Sequence, residues 1–411
     1  MFHYLPVTVM GIPPISATDE ASMNFSMNEQ IVQVHFPPIS EVKGWLAQAP
    51  PGLPLVDLCQ AVPDYPPAPE LTEHLTGCLA DPLVSKYSPD QGLPDVREAV
   101  CARYERRYGA RIDPSQLCLT IGASQAFWLA MMVLCRAGDE VILQAPCYFD
   151  HPMALAMLGI RPVYAPFSEE AGGLPVPAEI ERLITSRTRA ILLVTPSNPT
   201  GVVTPPDTID RLAHLAARHG IALVLDETYA DFIPDGVRPH DLFTRANWGE
   251  QFVQLMSFGK TYALTGYRAG LLAASEEFIH HALKAQDTMA VCQPRITQLA
   301  IKYGVEQLDG WVADNRRMME RRHDLFRAAF VAAGNPFHLA ASGTFFAWVR
   351  HPCPEKSSRE VARRLTQEAG LLLLPGEVFG PGLSHYLRLA FGNIREEAIP
   401  EAVRRFREFL P

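Results

Sequence analysis

Short apolar segments recur along the middle of the chain, each bounded by glycine, proline or charged residues. Seven of them predict β-strands, at residues 116–121, 140–144, 161–165, 189–194, 222–226, 252–257 and 270–274. Several are apolar at successive positions, as strands are when helices cover both faces of a sheet. The intervening segments have helical periodicity, for example residues 207–219. The pattern predicts an α/β fold with a mainly parallel seven-stranded sheet between two layers of helices.

The pattern changes after about residue 301. A long charged helix is predicted over residues 311–333, and strand-like segments follow at 344–350 and 386–390, so this part of the chain predicts a smaller α+β domain. The first 50 or so residues are rich in Pro, Ser and Met with weak periodicity, and they predict an extended arm. The predicted division is an arm at 1–50, part of the small domain at 51–84, a large domain at 85–304 and a small C-terminal domain at 305–411.

Composition narrows the class of protein. The chain has 411 residues, of which 48% are hydrophobic and 20% charged, a balance typical of a globular protein. A net charge of -9 argues against nucleic acid as the main partner. The eight cysteines are scattered without a Cys-x-x-Cys pair, which favours reduced core residues over disulfides or a zinc site. With neither a secretory leader nor an apolar run of about 18 residues, we expect a cytoplasmic protein without a membrane segment.

The segment Ser257-Phe-Gly-Lys260 follows one predicted strand, and Arg268 precedes the next. A lysine just beyond the carboxyl end of a strand points into the crevice where open α/β sheets bind ligands. Such an amine forms an imine with an aldehyde cofactor when burial or a nearby positive charge removes its proton. Ser257 and Arg268 have the spacing to bring a hydroxyl and a cation to one phosphate. In isolation, a lysine and an arginine at this spacing are ordinary surface residues.

Other predicted strands also end in polar or small residues. The strand at 189–194 is followed by the segment from Thr195 through Asn198 to Gly201, and the strand at 222–226 ends in Asp226, three residues before Tyr229. The strand at 116–121 leads through the segment 122–125 into a helical pattern, and a small-residue turn that opens a helix suits a phosphate. Each feature alone fits a simple turn or helix cap. Their joint position at successive strand ends predicts one shared site.

Together these segments resemble the class I/II aminotransferases of pyridoxal-5'-phosphate (PLP) fold type I, over roughly residues 55–395. The resemblance implies that Lys260 forms a Schiff base with PLP and that Asp226 pairs with the pyridine nitrogen. It implies that Asn198 and Tyr229 bond the ring hydroxyl, and that the 85–304 domain binds the cofactor. The residues implied to hold the phosphate or to stack on the ring are Ala123, Ser124, Ser257, Arg268 and Tyr148.

The resemblance also implies a substrate site and a partner subunit. Arg388 resembles the clamp on the substrate α-carboxylate, and Asn198 and Ala61 are its implied neighbours. The family often has glycine where Cys59-Gln-Ala-Val-Pro63 places Ala61, a change that narrows or reshapes the pocket. Tyr87 resembles the tyrosine that reaches the phosphate of a second subunit, which implies a homodimer with shared sites. For Arg295 we considered contact with a distal acidic group of the substrate across the dimer, against the simpler interpretation of a surface cation at a helix start.

The implied function is transamination between an α-amino acid and a 2-oxo acid, a transferase activity in amino acid metabolism. The nearest alternative is another PLP-dependent reaction of an amino acid, namely β-elimination, decarboxylation or oxidation, because a stabilised carbanion is common to all of them. A PLP-binding transcriptional regulator is a further alternative. The N-terminal arm is neither basic nor helical enough for a DNA-binding module, which disfavours that alternative.

Overall fold

The computed structural model describes residues 25–332 and 334–409. Its helices are α1 (Glu29–Val32), α2 (Pro38–Trp45), α3 (Pro69–Cys78), α4 (Pro94–Tyr108), α5 (Gly122–Leu134), α6 (Asp150–Met157), α7 (Pro177–Arg182), α8 (Pro206–His219), α9 (Phe258–Thr261), α10 (Glu276–Ala290), α11 (Arg295–Gln307), α12 (Asp309–Phe330), α13 (Ser358–Ala369) and α14 (Ile399–Glu408). Within the described residues, no helix is both long and apolar enough to span a membrane.

The strands form three sheets. They are β1 (Val56–Asp57), β2 (Leu117–Ile121), β3 (Glu140–Gln144), β4 (Arg161–Ala165), β5 (Thr188–Val194), β6 (Ala222–Asp226), β7 (Phe252–Ser257), β8 (Ala269–Ala273), β9 (His338–Gly343), β10 (Phe346–Arg350), β11 (Leu371–Leu372), β12 (Leu374–Pro375) and β13 (Tyr386–Leu389). All seven strands predicted for the large sheet are present, each with bounds within one residue of the prediction.

The large sheet has the strand order β2-β8-β7-β6-β5-β3-β4. Its strands are parallel except β8, which runs antiparallel to both of its neighbours. Because successive side chains point to opposite faces, Leu223 and Leu225 of β6 enter one apolar cluster and Val224 enters another. Both clusters include helical residues, so helices cover both faces. The expected α/β fold with a mainly parallel seven-stranded sheet is confirmed.

A second core lies in the C-terminal part of the chain. The antiparallel sheet β12-β13-β10-β9 packs with α12, α13 and α14 around a cluster that includes Phe326, Leu365 and Phe406. The N-terminal region joins this core through β1, which pairs in parallel with β11. By contrast, Leu71 of α3 belongs to a core cluster of the large sheet. Residues 51–84 therefore contact both parts of the molecule.

The N-terminal arm differs from the expectation of an extended chain. Residues 25–50 contain two helices, α1 and α2, while residues 1–24 lie outside the described residues. Pro38 occupies the first turn of α2, where its missing N–H costs no hydrogen bond. Val42 is fully buried in a cluster with Trp348 and Leu372. Packing against the rest of the protein therefore stabilises a helix that the weak periodicity did not reveal.

Candidate active site

A cavity of about 330 Å³ lies where the parallel strands of the large sheet end. It is bounded by the ends of β5, β6 and β7, the first turns of α5 and α6, and Arg388 of β13. The sequence-predicted residues that line it are Ala61, Ala123, Ser124, Tyr148, Asn198, Asp226, Tyr229, Ser257, Lys260, Arg268 and Arg388. The fold therefore brings together groups that lie more than 300 residues apart in the chain.

Lys260 enters the cavity from α9, a short helix that begins directly after β7. Ser257 caps this helix, since its hydroxyl accepts a hydrogen bond from the N–H of Gly259 at 3.2 Å. The ammonium Nζ of Lys260 donates to the carbonyl oxygen of Ala61. Burial, with Arg268 and Arg388 nearby, lowers the pKa of Lys260 to about 8. A substantial fraction of this amine is therefore neutral and nucleophilic close to neutral pH.

Asp226 ends β6, is buried and lines the cavity. One carboxylate oxygen accepts a hydrogen bond from the N–H of Thr228 at 3.0 Å, and the other lies 3.3 Å from Nε2 of His151. The His151 ring packs against Phe127, with ring centroids 4.4 Å apart. Its Nδ1 is buried without a hydrogen-bond partner among the described residues. The arrangement presents a carboxylate, held in place from behind, to a ligand in the cavity.

Another set of residues in the cavity wall suits an anion. Ala123 and Ser124 lie in the first turn of α5, where backbone N–H groups and the helix dipole favour negative charge. Arg268 has a positive φ of 57° and its guanidinium lies against Gly122, so that a Cβ at Gly122 would collide with it. The carbonyl of Arg268 also accepts the N–H of Gly122 at 2.9 Å. A hydroxyl, a helix start and a cation thus line the same cavity.

Arg388 is almost completely buried, with an exposed fraction of 1%. Its Nη1 lies 3.4 Å from Oδ1 of Asn198 and its Nη2 donates to the carbonyl of Cys59. The guanidinium carbon lies 5.3 Å from the ring centroid of Phe346 and 5.6 Å from that of Phe379. Its Nε has no hydrogen-bond partner among the described residues. A planar cation fixed in this way can bind a carboxylate through two oxygens.

The two residues that the sequence analysis linked to a second subunit lie elsewhere. The Tyr87 side chain is on the surface of the protomer with an exposed fraction of 80%, and it does not line the cavity. Arg295 begins α11, is half-buried and is also outside the cavity lining.

Tyr148, the residue expected to stack on the cofactor ring, lines the cavity, and its hydroxyl donates to Asp150 Oδ2 at 2.5 Å. Burial raises the pKa of Tyr148 well above its usual value.

Sequence reasoning missed several residues of the cavity wall. Asp150 and His151 open α6, while Ile39 and Gln60 come from the N-terminal region. One signal was available for His151: it follows Tyr148 by three residues at the start of a helix, a spacing that places two side chains on the same face. Ile39 lies in a helix that the sequence did not predict, so no comparable signal existed for it.

Solved structures of aminotransferases resemble this fold. Aspartate aminotransferase from Thermus thermophilus, solved with maleate, matches with a TM-score of 0.85 and 26% identity, covering 93% of this chain and 99% of that one. The aromatic aminotransferase from Pyrococcus horikoshii OT3 matches with a TM-score of 0.81 and 26% identity, covering 89% and 97%. With the mainly parallel sheet and its helices, they define the class: an α/β enzyme of PLP fold type I.

Sequence relatives narrow the class further. An aromatic aminotransferase of Arabidopsis thaliana is 29% identical over 360 residues, 86% of this chain and 89% of that protein. An aromatic-amino-acid aminotransferase of Thermococcus litoralis is 28% identical over 368 residues, 89% and 93% of the two chains. The family described as aminotransferase class I and II matches residues 54–406. The chain belongs to the class I and II aminotransferase family and is a transferase that acts on an amino acid and a 2-oxo acid.

Proposed function

We propose that this cavity holds pyridoxal 5'-phosphate, with Lys260 as the amine that would bind its aldehyde and Asp226 as the carboxylate that would pair with its ring nitrogen. The donor set fits such a molecule, because a partly neutral buried amine and a buried carboxylate line the same cavity as an anion cradle. The volume of about 330 Å³ is at the lower end of the range for small-molecule sites. The proposed ring and phosphate contacts are Asn198, Tyr229, Tyr148, Ala123, Ser124, Ser257 and Arg268.

When bound, pyridoxal phosphate supplies an aldehyde that exchanges amines and a ring that withdraws electrons from the substrate α-carbon. Asp226 favours the protonated ring nitrogen by charge attraction, and its contact with His151 holds it in place. With the cofactor bound, the amine of Lys260 would move a proton at the substrate α-carbon. Its lowered pKa, about 8, suits a base that operates near neutral pH. Lys260 and Asp226 are the proposed catalytic pair, with Tyr229 as a third catalytic group.

Arg388 is the proposed binding group for the substrate α-carboxylate. It is a buried cation between two aromatic rings, and its Nη1 is only 3.4 Å from the side-chain oxygen of Asn198. A carboxylate that forms two parallel hydrogen bonds with the guanidinium would compensate its desolvation. Ala61, whose carbonyl accepts the Lys260 ammonium, forms the adjacent wall of the substrate site. The single observation that carries the proposal is that Lys260, Asp226 and Arg388 line one cavity.

Cofactor capture tests this assignment. Incubation with pyridoxal phosphate should give a yellow protein, and borohydride should fix the cofactor to Lys260, as peptide mass analysis would locate. Lys260→Ala should lose both signals, whereas the exposed lysine variant Lys284→Ala should retain them. Addition of amino acids should bleach the absorbance and release a 2-oxo acid, with colour restored only by a second 2-oxo acid. Oxo-acid release that continues without a second oxo acid would contradict transamination.

The protein is further proposed to act as a cytoplasmic homodimer in which Tyr87 contacts the cofactor phosphate of the other subunit. An aromatic side chain that is 80% exposed gains from burial in such an interface. Sedimentation should give twice the 45.5 kDa chain mass. Mixing the separately inactive Lys260→Ala chains with weakened Tyr87→Ala chains should restore activity, because each mixed dimer then contains one site without a substitution. A monomer, or failure of the mixture to gain activity, would contradict shared sites.

A further inference from the structure

The positive charges of the cavity wall all belong to residues that already have a proposed role. Its Lys and Arg residues, within the part of the chain that the structure describes, are Lys260, Arg268 and Arg388. Under the proposed function all three are already assigned, to the cofactor aldehyde, the phosphate and the substrate α-carboxylate. His151 is buried beside Asp226. The described cavity wall therefore offers no additional Lys or Arg for a second carboxylate on the substrate side chain.

Asp150 is a carboxylate on the cavity wall that has no role in the proposed function. It is half-buried at the first residue of α6, and its Oδ2 accepts a hydrogen bond from the Tyr148 hydroxyl at 2.5 Å. The described partner of this carboxylate is therefore a neutral hydroxyl, and Asp150 shares the cavity wall with Lys260. A carboxylate in a partly enclosed site, bonded to a neutral hydroxyl, retains lone pairs for a further donor.

Apolar side chains share the cavity wall with Asp150. Ile39 of α2 and Met153 of α6 line the cavity and pack in the same cluster as Tyr148 and Phe149. Such a surface suits the methylene chain of a long side chain whose charged end reaches a polar group. A distal carboxylate in this position would meet like charge from Asp150, while an ammonium or guanidinium would gain a charge-assisted hydrogen bond.

We propose that Asp150 is a specificity-determining residue that selects amino donors with a cationic side chain, of the lysine, ornithine or arginine type. The inference rests on the proposed function, because it takes Lys260 and Arg388 as the groups that fix the α-amino and α-carboxylate ends. The methylene chain lies against Ile39 and Met153, and the cationic end donates to the free lone pairs of Asp150. The substrate class is thus set by one carboxylate among apolar neighbours.

The test compares amino donors on the cofactor-loaded enzyme. Lysine is matched with norleucine, which has an apolar chain of similar length, and with glutamate, whose side chain is anionic. The kcat/KM for each is obtained from the rate of cofactor bleaching. The wild type should prefer lysine to norleucine by about 10- to 100-fold, the effect of one hydrogen bond to a charged group, and should disfavour glutamate. Asp150→Asn should reduce the lysine-to-norleucine ratio by about the same factor.

Two control variants isolate the charge. Asp207 is exposed in the first turn of α8 and lies outside the cavity. Because Asp207→Asn removes the same charge at that distant position, the lysine-to-norleucine ratio should not change. Tyr148→Phe removes the hydroxyl but keeps the ring and Asp150, and the preference for lysine should persist even where the absolute rate falls. A ratio is used because a general loss of cofactor or folding lowers both rates equally.

Each outcome has a defined meaning. A wild-type preference for glutamate or aspartate would overturn the inference, and would indicate a cation from a second subunit, with Arg295 the first residue to substitute. A preference for norleucine or aromatic donors that Asp150→Asn leaves unchanged would also overturn it. If Asp150→Asn does not retain cofactor, the wild-type ranking alone decides. If none of the amino acids bleaches the cofactor-loaded protein, the result contradicts the proposed function rather than the role of Asp150.

Discussion

Two consecutive carboxylates at the end of β6 have opposite surroundings. Asp226 faces the cavity, where His151 and the Thr228 N–H are its neighbours. Glu227 is fully buried away from the cavity, and its Oε2 accepts hydrogen bonds from Gln254 and from the Tyr108 hydroxyl and lies 3.1 Å from His240 Nε2. The comparison separates a carboxylate on the wall of a cavity from a carboxylate enclosed by protein side chains.

The buried polar cluster continues beyond Glu227. Asp231 accepts hydrogen bonds from Arg103, from Arg107 at 2.8 Å and from the Thr261 hydroxyl at 2.6 Å. Burial opposes its charge, but the two arginines outweigh burial and keep the pKa of Asp231 below its usual value. In the cavity, by contrast, the described hydrogen bonds of Lys260 and Arg388 go to carbonyl and amide oxygens rather than to carboxylates. Both regions contain buried polar atoms without a hydrogen-bond partner among the described residues. We therefore expect the cluster to control stability and the cavity to control activity.

The largest predicted effect is on stability, from Asp231→Asn. The substitution leaves the buried Arg103 and the half-buried Arg107 without their anion, and the free energy of unfolding should fall by about 3–5 kcal/mol. Urea titration of the cofactor-loaded protein measures it. The exposed pair Arg238–Asp241 supplies the control, because Asp241→Asn should change the free energy of unfolding by less than about 1 kcal/mol. Equal effects of the two substitutions would break the distinction between cluster and surface.

The next effect contrasts the two neighbouring carboxylates directly. Asp226→Asn should lower kcat by about 10²- to 10³-fold, because it removes a preorganised charge that acts on the cofactor ring. Its free energy of unfolding should change little. Glu227→Gln should do the reverse, with kcat largely retained and the free energy of unfolding lower by about 1–3 kcal/mol. Steady-state rates and urea titrations of both variants provide the comparison, and a stability loss confined to Asp226→Asn would reverse our interpretation.

The fold was largely predictable because the strands of the large sheet are apolar segments that end at glycine, proline or charged residues. β6 is apolar from Ala222 to Leu225 and ends at a carboxylate, and the observed bounds match the predicted ones. The helix α2 was not predicted, since the pair Pro37–Pro38 in isolation indicates a break in structure. Its stability depends on Val42, which is buried against residues more than 300 positions away. Sequence periodicity does not contain that long-range contact.

The site was predictable where a residue follows a strand. Lys260 and Asp226 stand at the ends of β7 and β6, and parallel strands bring their carboxyl ends to one edge. Asp150 and Ile39 belong to helices, and their approach to the cavity depends on how each helix packs over the sheet. No local pattern encodes that packing. The contact proposed for Tyr87 involves a second chain, so the sequence gives only a resemblance to support it.

A largely buried ion pair lies close in the chain to the cavity residue Ala61. Arg322 of α12 binds Asp64 through both carboxylate oxygens, at 2.5 and 3.2 Å. Three residues before Asp64, the carbonyl of Ala61 accepts the Lys260 ammonium. Asp64→Asn should therefore affect both properties, lowering the free energy of unfolding by about 1.5–3 kcal/mol and raising KM severalfold as the loop loses its anchor. Urea titration and steady-state kinetics measure the two effects. A lower free energy of unfolding with an unchanged KM would mean that the pair contributes to stability alone, as the buried cluster does.

The smallest predicted effect concerns the pKa of the Lys260 amine in the cavity. With the pKa of Lys260 lowered to about 8 by burial and by Arg268 and Arg388, only the neutral amine captures the cofactor aldehyde. The rate of capture by cofactor-free protein should rise about tenfold per pH unit below pH 8 and level off above it. Arg388→Gln removes one of the positive charges, so the midpoint should move upward, towards the usual pKa of lysine. The exposed variant Arg238→Gln should leave the midpoint unchanged. Stopped-flow absorbance across pH measures all three proteins, and a wild-type midpoint near the ordinary lysine value would mean that the cavity does not desolvate its amine.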